Sequence, residues 1–273
     1  MDLQERYTDL QERLRSLGRV LVAFSGGVDS TFLLKVSLDT LGADHVLAAI
    51  GVSPSLARSQ HERAIDLARQ MGARLIQVPV HELDDERYKA NQKDRCFHCK
   101  THLYQTLLQV AARHGVKHVV CGANLDDQDD YRPGHQAGAA LGVECPLMQA
   151  GLTKAHIRRL SRDLGLATAD LPASPCLASR IAYGLEVTEE RLRQVEEAEA
   201  FLWSEGLAEF RVRHHDTLAR IEVRPQDLAR VIAEPLRSRL VDRLRALGFK
   251  YVSLDLQGFR SGSMNEAIQL QQP

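Results

Sequence analysis

The chain has 273 residues, of which 44% are hydrophobic, and a formal net charge of −1. This composition is typical of a globular protein with one large domain or a main domain and an appendage. The near-neutral charge argues against nucleic acid as a partner, and no apolar run approaches the ~20 residues of a membrane span. The first residues also lack the pattern of a secretory signal, so we expect a cytoplasmic protein that binds neither nucleic acid nor membrane.

Apolar runs alternate with helical patterns over the first part of the chain. Continuous apolar strands separated by helices indicate a parallel sheet that is covered on both faces. Ligands of such sheets bind beyond the carboxyl ends of the strands. The predicted strands are 19–24, 45–52, 74–80 and 117–124, and the predicted helices are 3–17, 29–41, 55–71, 100–114 and 154–164.

The pattern changes after the stretch LPASPC, at residues 171–176. A charged helix is predicted over 188–205, and the alternating stretches EFRVRHH and TLARIEV flank a turn near Asp216. A helical stretch follows to about residue 247, and YVSLDLQ alternates again. We therefore predict two domains, one over residues 1–175 and a smaller α+β domain over residues 176–273.

Residues 25–30, SGGVDS, follow the first predicted strand and open a helix. Gly26 and Gly27 let backbone N–H groups approach a phosphate, and the helix dipole favours its charge. The hydroxyls of Ser25 and Ser30 can donate to phosphate oxygens. Asp29 would be repelled by a bare phosphate, so we expect Mg²⁺ between them. The patterns GxxxxGK[ST] and GxGxxG are absent, and an ordinary turn with a capping aspartate is the alternative.

The chain has five cysteines, an odd number in a protein for which no export is expected. Reduced, catalytic or metal-binding thiols are therefore favoured over a disulfide framework. Cys96 and Cys99 form a CxxC pair, and Cys176 lies far along the chain. Three thiols that meet in space suit a 4Fe–4S cluster with one iron free of a protein ligand.

A structural zinc site is the alternative interpretation of the CxxC pair. His98 and His102 could supply further ligands to such a site. Cys121 ends an apolar strand and Cys145 stands in GVECPL. We interpret both as small buried hydrophobic residues, and the lack of a fourth available thiol then favours the cluster.

The stretch SGGVDS is similar to the PP-loop of N-type ATP pyrophosphatases, which holds the pyrophosphate part of ATP in that family. CGANLDD, at 121–127, resembles a second turn of these proteins that faces the nucleotide. The resemblance implies nucleotide contacts from Gly122, Asn124 and Asp127, although a solvated turn is the alternative. It also implies the fold class: an α/β parallel-sheet PP-loop ATP pyrophosphatase domain with a smaller C-terminal α+β domain.

Several stretches, in order along the chain, resemble one branch of these proteins, the LarE sulfur transferases. The resemblance implies adenylation by ATP of a carboxylate of pyridinium-3,5-biscarboxylic acid mononucleotide, followed by conversion to a thiocarboxylate for nickel-pincer nucleotide synthesis. It also implies a homo-oligomer. The stretches are SGGVDS (25–30), RCFHCKTHLY (95–104), CGANLDDQDDYRPG (121–134), PLMQAGLTKAHIR (146–158), SPCLASRIAYG (174–184), FRVRHHDTLARIEV (210–223) and DLQGFRSGSMNE (255–266).

Two LarE subtypes differ in the source of sulfur. One sacrifices the cysteine of a PCLASR-like motif, and the other passes on a sulfide held by a 4Fe–4S cluster on three cysteines. RCFHC together with PCLAS resembles the cluster subtype. The resemblance thus implies Cys96, Cys99 and Cys176 as ligands, Cys176 and Asp29 as catalytic residues, and a separate sulfide donor.

Anion binding in the second domain is predicted mainly by this resemblance. Arg211 and Arg213 share one side of a predicted strand, and the residues alone favour a sheet with one solvated face. The resemblance implies that this pair and Arg180 meet the phosphate or carboxylates of the substrate, which suit guanidinium groups. Glu222 would balance their charge or help to hold a metal, and Arg132 would lie near the nucleotide.

Two other functions remain open at the level of sequence. A cluster-dependent tRNA thiolation enzyme shares the PP-loop, the CxxC pair and a distant third cysteine, but it needs a surface for RNA that the near-neutral charge does not suggest. A zinc-stabilised module that binds a nucleotide without turnover is the second.

Overall fold

The computed structural model describes residues 1–127 and 133–260, and the chain divides into two compact units. The first unit comprises Met1–Asp85 and Asp94–Ser174. The second comprises Glu86–Lys93 and, among the described residues, 175–260. Segment 86–93 thus packs with the second unit, which the sequence did not indicate, and the domain boundary at 175 and 176 stays a prediction. No helix within the described ranges is long and apolar enough to cross a membrane.

The first unit is built on a four-stranded parallel sheet, as predicted. The strands lie in the order β3-β2-β1-β4. The strand β1 therefore pairs with β2 on one side and with β4 on the other. The order of the strands along the chain reverses at β1, and parallel sheets bind ligands at such a point. The strands are β1 (Val20–Ala23), β2 (Val46–Val52), β3 (Arg74–Pro79) and β4 (His118–Cys121).

Helices cover both faces of this sheet. Side chains alternate along a strand, so Val20 and Val22 of β1 pack in one apolar cluster with Phe32, while Leu21 packs in another with Leu107. Burial on both faces explains the continuous apolar strands of the sequence. The helices in chain order are α1 (Leu3–Leu17), α2 (Val28–Leu41), α3 (Arg58–Gln70), α4 (Glu86–Lys89), α5 (Arg95–Arg113), α6 (Pro133–Ala140), α7 (Pro146–Gln149), α8 (Lys154–Asp163), α9 (Glu189–Ser204), α10 (Leu228–Ile232) and α11 (Leu236–Ala246).

The second unit contains a three-stranded sheet in the order β5-β6-β7. Strands β5 (Phe210–His215) and β6 (Leu218–Val223) are antiparallel, and β7 (Tyr251–Leu254) runs parallel to β6. Asp216 forms the expected turn with a left-handed φ of 58°. The small sheet with helices α9 and α11 confirms the expected α+β character of this part of the chain.

Asn91 joins segment 86–93 to the rest of the second unit. Its side chain is fully buried, and Nδ2 donates to the carbonyl oxygens of Ile181, Ala182 and Leu185. Asn91 has a φ of 53°, a left-handed conformation that asparagine tolerates better than most residues. The segment therefore forms an integral part of this unit.

Candidate active site

A cavity of about 310 Å³ lies at the carboxyl ends of the parallel strands in the first unit. Its volume suits a small-molecule ligand. The lining comes from the loop after β1, the end of β2, the turn after β4 and one side of α5. The lining includes Ser25, Gly27, Asp29, Ser30, Lys100, Tyr104, Cys121, Gly122 and Asp127.

The loop from Ser25 to Ser30 makes a tight turn between β1 and α2. Gly26 has a φ of 68°, and a Cβ there would stand 2.9 Å from the Cβ of Ala64, so both conformation and space require glycine. The Oγ atoms of Ser25 and Ser30 are 3.0 Å apart. Gly27 is the N-cap of α2 and brings no side chain to its first N–H groups. This helix end can therefore receive an anion through its backbone.

The turn after β4 packs directly against the beginning of α2. A Cβ on Gly122 would stand 2.9 Å from the backbone nitrogen of Ser30, so glycine lets the two backbones touch. Asn124 is buried, and its Oδ1 accepts from the backbone of Asp126 at 3.1 Å. Its backbone donates to Oδ2 of Asp127 at 2.9 Å. These contacts hold the turn itself, and its contacts with a nucleotide stay a prediction.

Lys154 contacts Asp29 of this loop, and sequence reasoning missed it. It begins α8 after the N-cap Thr153, and its Nζ donates to Oδ2 of Asp29 at 2.5 Å. Its backbone N–H donates to Oδ2 of Asp126 at 2.8 Å. Oδ1 of Asp29 is buried without a hydrogen-bond partner, so this atom fits the expected Mg²⁺. The sequence feature that could have indicated Lys154 is the predicted helix start within PLMQAGLTKAHIR.

Cys96 and Cys99 lie within the first five residues of α5, whereas the predicted helix over 100–114 would have left them outside it. The helix begins five residues before the predicted start, since RCFHC lacks the apolar spacing from which the helix was predicted. Residues three apart on a helix share a face, so the two thiols are neighbours. Cys96 is exposed and Cys99 is half-buried. This arrangement fits two ligands of one metal group.

The two histidines considered as zinc ligands contact carboxylates. Nε2 of His98 lies 3.1 Å from Oδ2 of Asp94, and Nε2 of His102 lies 2.9 Å from Oδ2 of Asp85. Across residues 1–127 and 133–260, no group of three or more histidine, cysteine, aspartate or glutamate side chains could hold a metal ion. Cys176 belongs to the second unit, so the three-thiol site stays a prediction.

Arg180 holds the backbone around Cys176 in the second unit. Cys176 is half-buried and precedes the short turn Leu177–Arg180. Nη1 of Arg180 donates to the carbonyl oxygens of Pro175 and Cys176 at 2.6 and 3.0 Å. Its Nε and Nη2 donate to the two carboxylate oxygens of Glu199 at 3.0 and 3.1 Å. The described role of Arg180 is positional, and its contact with a substrate stays a prediction.

A buried ion-pair network lies along β5 and β6. Glu222 is fully buried and accepts from Nη2 of Arg213 at 2.7 Å, while Nη2 of Arg220 lies 3.2 Å from its other oxygen. Arg211 lies over the ring of Phe259, 5.0 Å from the centroid. Burial, reinforced by neighbouring guanidinium charges, lowers the pKa of Arg211 to about 10. Arg211 is therefore cationic at neutral pH, as an anion contact requires.

Arg132, predicted near the nucleotide, lies outside the described residues, as does Asp130 in the same stretch DDYRPG. The nucleotide contact of Arg132 stays a prediction.

Comparison with known proteins matches the architecture and the loop. The PP-loop domain family matches residues 1–131. An uncharacterised protein of Synechocystis sp. is 40% identical over 97% of this chain and 99% of its own length. The pyridinium-3,5-bisthiocarboxylic acid mononucleotide synthase of Lactiplantibacillus plantarum is 37% identical over 97% of this chain and 96% of its own length. An uncharacterised protein of Methanocaldococcus jannaschii is 26% identical over 93% and 95%.

The parallel sheet, the loop at its carboxyl edge and these matches define an ATP-binding PP-loop protein. Within that class, the chain belongs to the LarE family of ATP-dependent sulfur transferases.

Proposed function

We propose that this enzyme adenylates a carboxylate of pyridinium-3,5-biscarboxylic acid mononucleotide and converts it to a thiocarboxylate. The observation that carries the proposal is similarity over almost the whole chain to a synthase named for the bisthiocarboxylic acid mononucleotide. The cavity at the PP-loop supports it, because this cavity can receive the phosphates of ATP. The product would serve nickel-pincer nucleotide synthesis. The enzyme itself would be a cytoplasmic homo-oligomer.

ATP solves a chemical difficulty in this reaction. A carboxylate is a poor electrophile, since a nucleophile would push more negative charge onto an anionic group. Attack by a carboxylate oxygen on the α-phosphorus of ATP releases pyrophosphate and gives an acyl adenylate, from which AMP leaves readily. The N-terminus of α2, with the Ser25 and Ser30 hydroxyls, would bind the departing pyrophosphate. Oδ1 of Asp29 would hold Mg²⁺, which would neutralise phosphate charge.

We place the sulfur source in a 4Fe–4S cluster held by Cys96, Cys99 and Cys176. Cys96 and Cys99 support this assignment because they share a helix face. Cys176 supports it because its motif, PCLAS, occurs here together with RCFHC, as in the cluster subtype. A bound cluster would supply the sulfide that displaces AMP, and a separate donor would replenish it. Arg180 would position the backbone of Cys176.

The substrate's anionic groups would meet the cationic strand β5. Arg211 carries a charge at neutral pH, and Arg213 is held in place by the buried carboxylate of Glu222. A guanidinium group binds a carboxylate or phosphate through paired N–H donors. Arg211 and Arg213 would therefore orient the pyridinium mononucleotide, with Glu222 as a charge partner rather than a ligand of the substrate.

Anaerobic purification followed by iron, zinc and labile-sulfide analysis tests the metal assignment. The same protein is then incubated with ATP, Mg²⁺ and the biscarboxylic acid mononucleotide, while pyrophosphate and thiocarboxylate are measured separately. We expect substrate-dependent pyrophosphate release, iron with sulfide, and thiocarboxylate product. Zinc without iron would contradict the cluster and leave adenylation standing, whereas pyrophosphate release that ignores the substrate would contradict the adenylation.

The variant Cys176→Ala separates the two half-reactions. We expect it to lose cluster absorbance and thiocarboxylate formation while it keeps pyrophosphate release. Thiocarboxylate at the parental rate would remove Cys176 from the mechanism. Mass spectrometry of the parent after turnover adds a further check, because loss of the elements of hydrogen sulfide at Cys176 would make this residue the sulfur source in place of the cluster.

A further inference from the structure

Two cysteines that the proposed mechanism does not use lie side by side in the first unit. Cys121 ends β4, and Cys145 follows Glu144, which forms an isolated parallel bridge with Val120. The backbone nitrogen of Cys121 donates to the carbonyl oxygen of Glu144 at 2.9 Å. The Sγ atoms of Cys121 and Cys145 are 3.4 Å apart. The sequence interpretation of two unrelated buried hydrophobic residues missed this pairing.

The backbone at the pair suits a disulfide. Val120 and Glu144 are partners in an isolated parallel bridge, so Cys121 and Cys145 directly follow two residues that lie at the spacing of neighbouring strands. Neighbouring strands lie about 4.7–4.9 Å apart. A disulfide needs Cα atoms roughly 4.4–6.8 Å apart and an S–S bond of about 2.05 Å. Side-chain rotation can therefore close the gap between the sulfurs without movement of the backbone.

The surroundings favour reaction at Cys121. Cys121 is buried but lines the cavity, whereas Cys145 is half-buried and is not part of the lining. The hydrogen bond from the Cys145 thiol lowers the pKa of Cys121, and the same contact, together with burial, raises the pKa of Cys145. A thiolate is the reactive form of cysteine. Cys121 is therefore the thiol of the pair that both lines the cavity and loses its proton more readily.

We propose that Cys121 and Cys145 form an oxidation site at which a small hydroperoxide entering the cavity converts the two thiols into a disulfide. The Cys121 thiolate attacks a peroxide oxygen, so that an S–O bond forms, the O–O bond breaks and hydroxide leaves. The Cys145 sulfur then attacks the Cys121 sulfur, and the sulfenic oxygen leaves as water with the Cys145 proton. Two thiols and one hydrogen peroxide give one disulfide and two water molecules, and a thiol reductant reverses the change.

The disulfide would alter the wall of the cavity. The hydroxyl of Tyr104 contacts the Cys121 sulfur, and this contact is lost when the sulfur turns toward Cys145. Both Tyr104 and Cys121 line the cavity. Oxidation should therefore weaken nucleotide binding, a consequence that rests on the proposed function, whereas disulfide formation itself does not.

Peptide mapping of the intact chain after treatment with hydrogen peroxide tests the site. Trypsin cuts after Lys117 and Lys154, and Arg132 is followed by a proline, so both cysteines fall in one peptide. We expect this peptide to lose two hydrogens and both alkylation sites, and to regain them after reduction. The variant Cys145→Ser should instead accumulate a trappable sulfenic acid at Cys121. Two alkylatable thiols persisting after the exposed Cys96 has reacted would overturn the proposal.

Nucleotide protection tests the route of access. ATP with Mg²⁺ should slow disulfide formation, and the oxidised protein should bind ATP more weakly than the reduced protein, with no such loss in Cys145→Ser. Binding is measured separately by equilibrium dialysis. If ATP binds and the rate of oxidation is unchanged, access through the cavity is wrong. If ATP does not bind at all, the proposed function fails while peptide mapping still decides the oxidation site.

Discussion

The two units differ in the groups that they would offer to an anion. In the first, the PP-loop offers glycine backbone, two hydroxyl groups and a helix end. In the second, Arg180 and Arg213 are buried, and each is held by a glutamate. Backbone N–H groups bring no net charge into the interior, whereas a buried guanidinium group must be desolvated and paired. Added side-chain volume near the loop should therefore impair the first unit most. Loss of a charge partner should impair the second unit most.

The variant Glu222→Ala should have the largest effect on stability. It leaves the buried Arg213 without its carboxylate, and loss of one member of a buried pair costs about 3–5 kcal/mol. Urea unfolding followed through Trp203, the single tryptophan and a residue of the second unit, measures the loss. Glu190→Ala, which breaks an exposed pair with Arg193, is the matched control and should change little. Equal losses in the two variants would contradict dependence on charge balance.

The variant Gly122→Ala probes the spatial sensitivity of the first unit. Its Cβ would press on the backbone of Ser30, and overpacking of this kind costs about 1–3 kcal/mol. We expect lower stability by circular dichroism and a large loss of ATP affinity. Gly142→Ala is the control for ATP affinity, because a Cβ there would meet no atom within 4 Å. Alanine at this position would be strained only by the positive φ of the backbone. Parental ATP affinity in Gly122→Ala would show that the close approach is dispensable.

His214 sharpens the comparison through pH. It is buried in the second unit with Nε2 2.8 Å from Oε1 of Gln194, and burial lowers its pKa to about 4. An unfolded histidine has a pKa of about 6.5, so the unfolded chain binds the proton first as pH falls. Stability should drop by about 2 kcal/mol from pH 7 to pH 5, and most of this drop should vanish in His214→Gln. The exposed His45→Gln should leave the pH profile unchanged.

The ion pair between Lys154 and Asp29 is a charged contact beside the loop of the first unit, and we expect its loss to have the smallest of these effects. Removing its ammonium in Lys154→Met leaves Asp29 unpaired beside the loop, and we expect pyrophosphate release to fall about tenfold, or about 1.4 kcal/mol. Lys154→Arg should restore much of the rate. Lys35→Met, which removes another lysine–aspartate pair on α2, serves as the control. A similar decrease in both methionine variants would indicate a general effect of charge rather than a local one.

Elements with a strong local signal could be predicted from sequence. The run RVLVAF gave β1, and glycines marked the ends of α1 and α2, because apolar runs and helix stops are encoded within a few residues. The SGGVDS loop was identified for the same reason. The start of α5 was missed because RCFHC has no apolar period.

Contacts between distant residues could not be predicted in this way. Lys154 meets Asp29 only because α8 is brought beside α2, and Cys145 meets Cys121 only through the bridge at Glu144. Arg180 contacts Glu199 across a turn and a helix and also donates to the carbonyl oxygen of Cys176, and neither contact is marked in the sequence. Pairing of this kind depends on the tertiary fold. Local patterns in a single sequence do not reveal which distant residues the fold brings together.

The excursion of segment 86–93 into the second unit limits how the protein can be dissected. A fragment starting at Pro175 would lack Asn91, and the carbonyl groups of Ile181, Ala182 and Leu185 would lose the donor that orders them. Separate expression of the C-terminal portion should therefore yield an incomplete fold, and a graft of residues 86–93 onto that fragment is the rational repair.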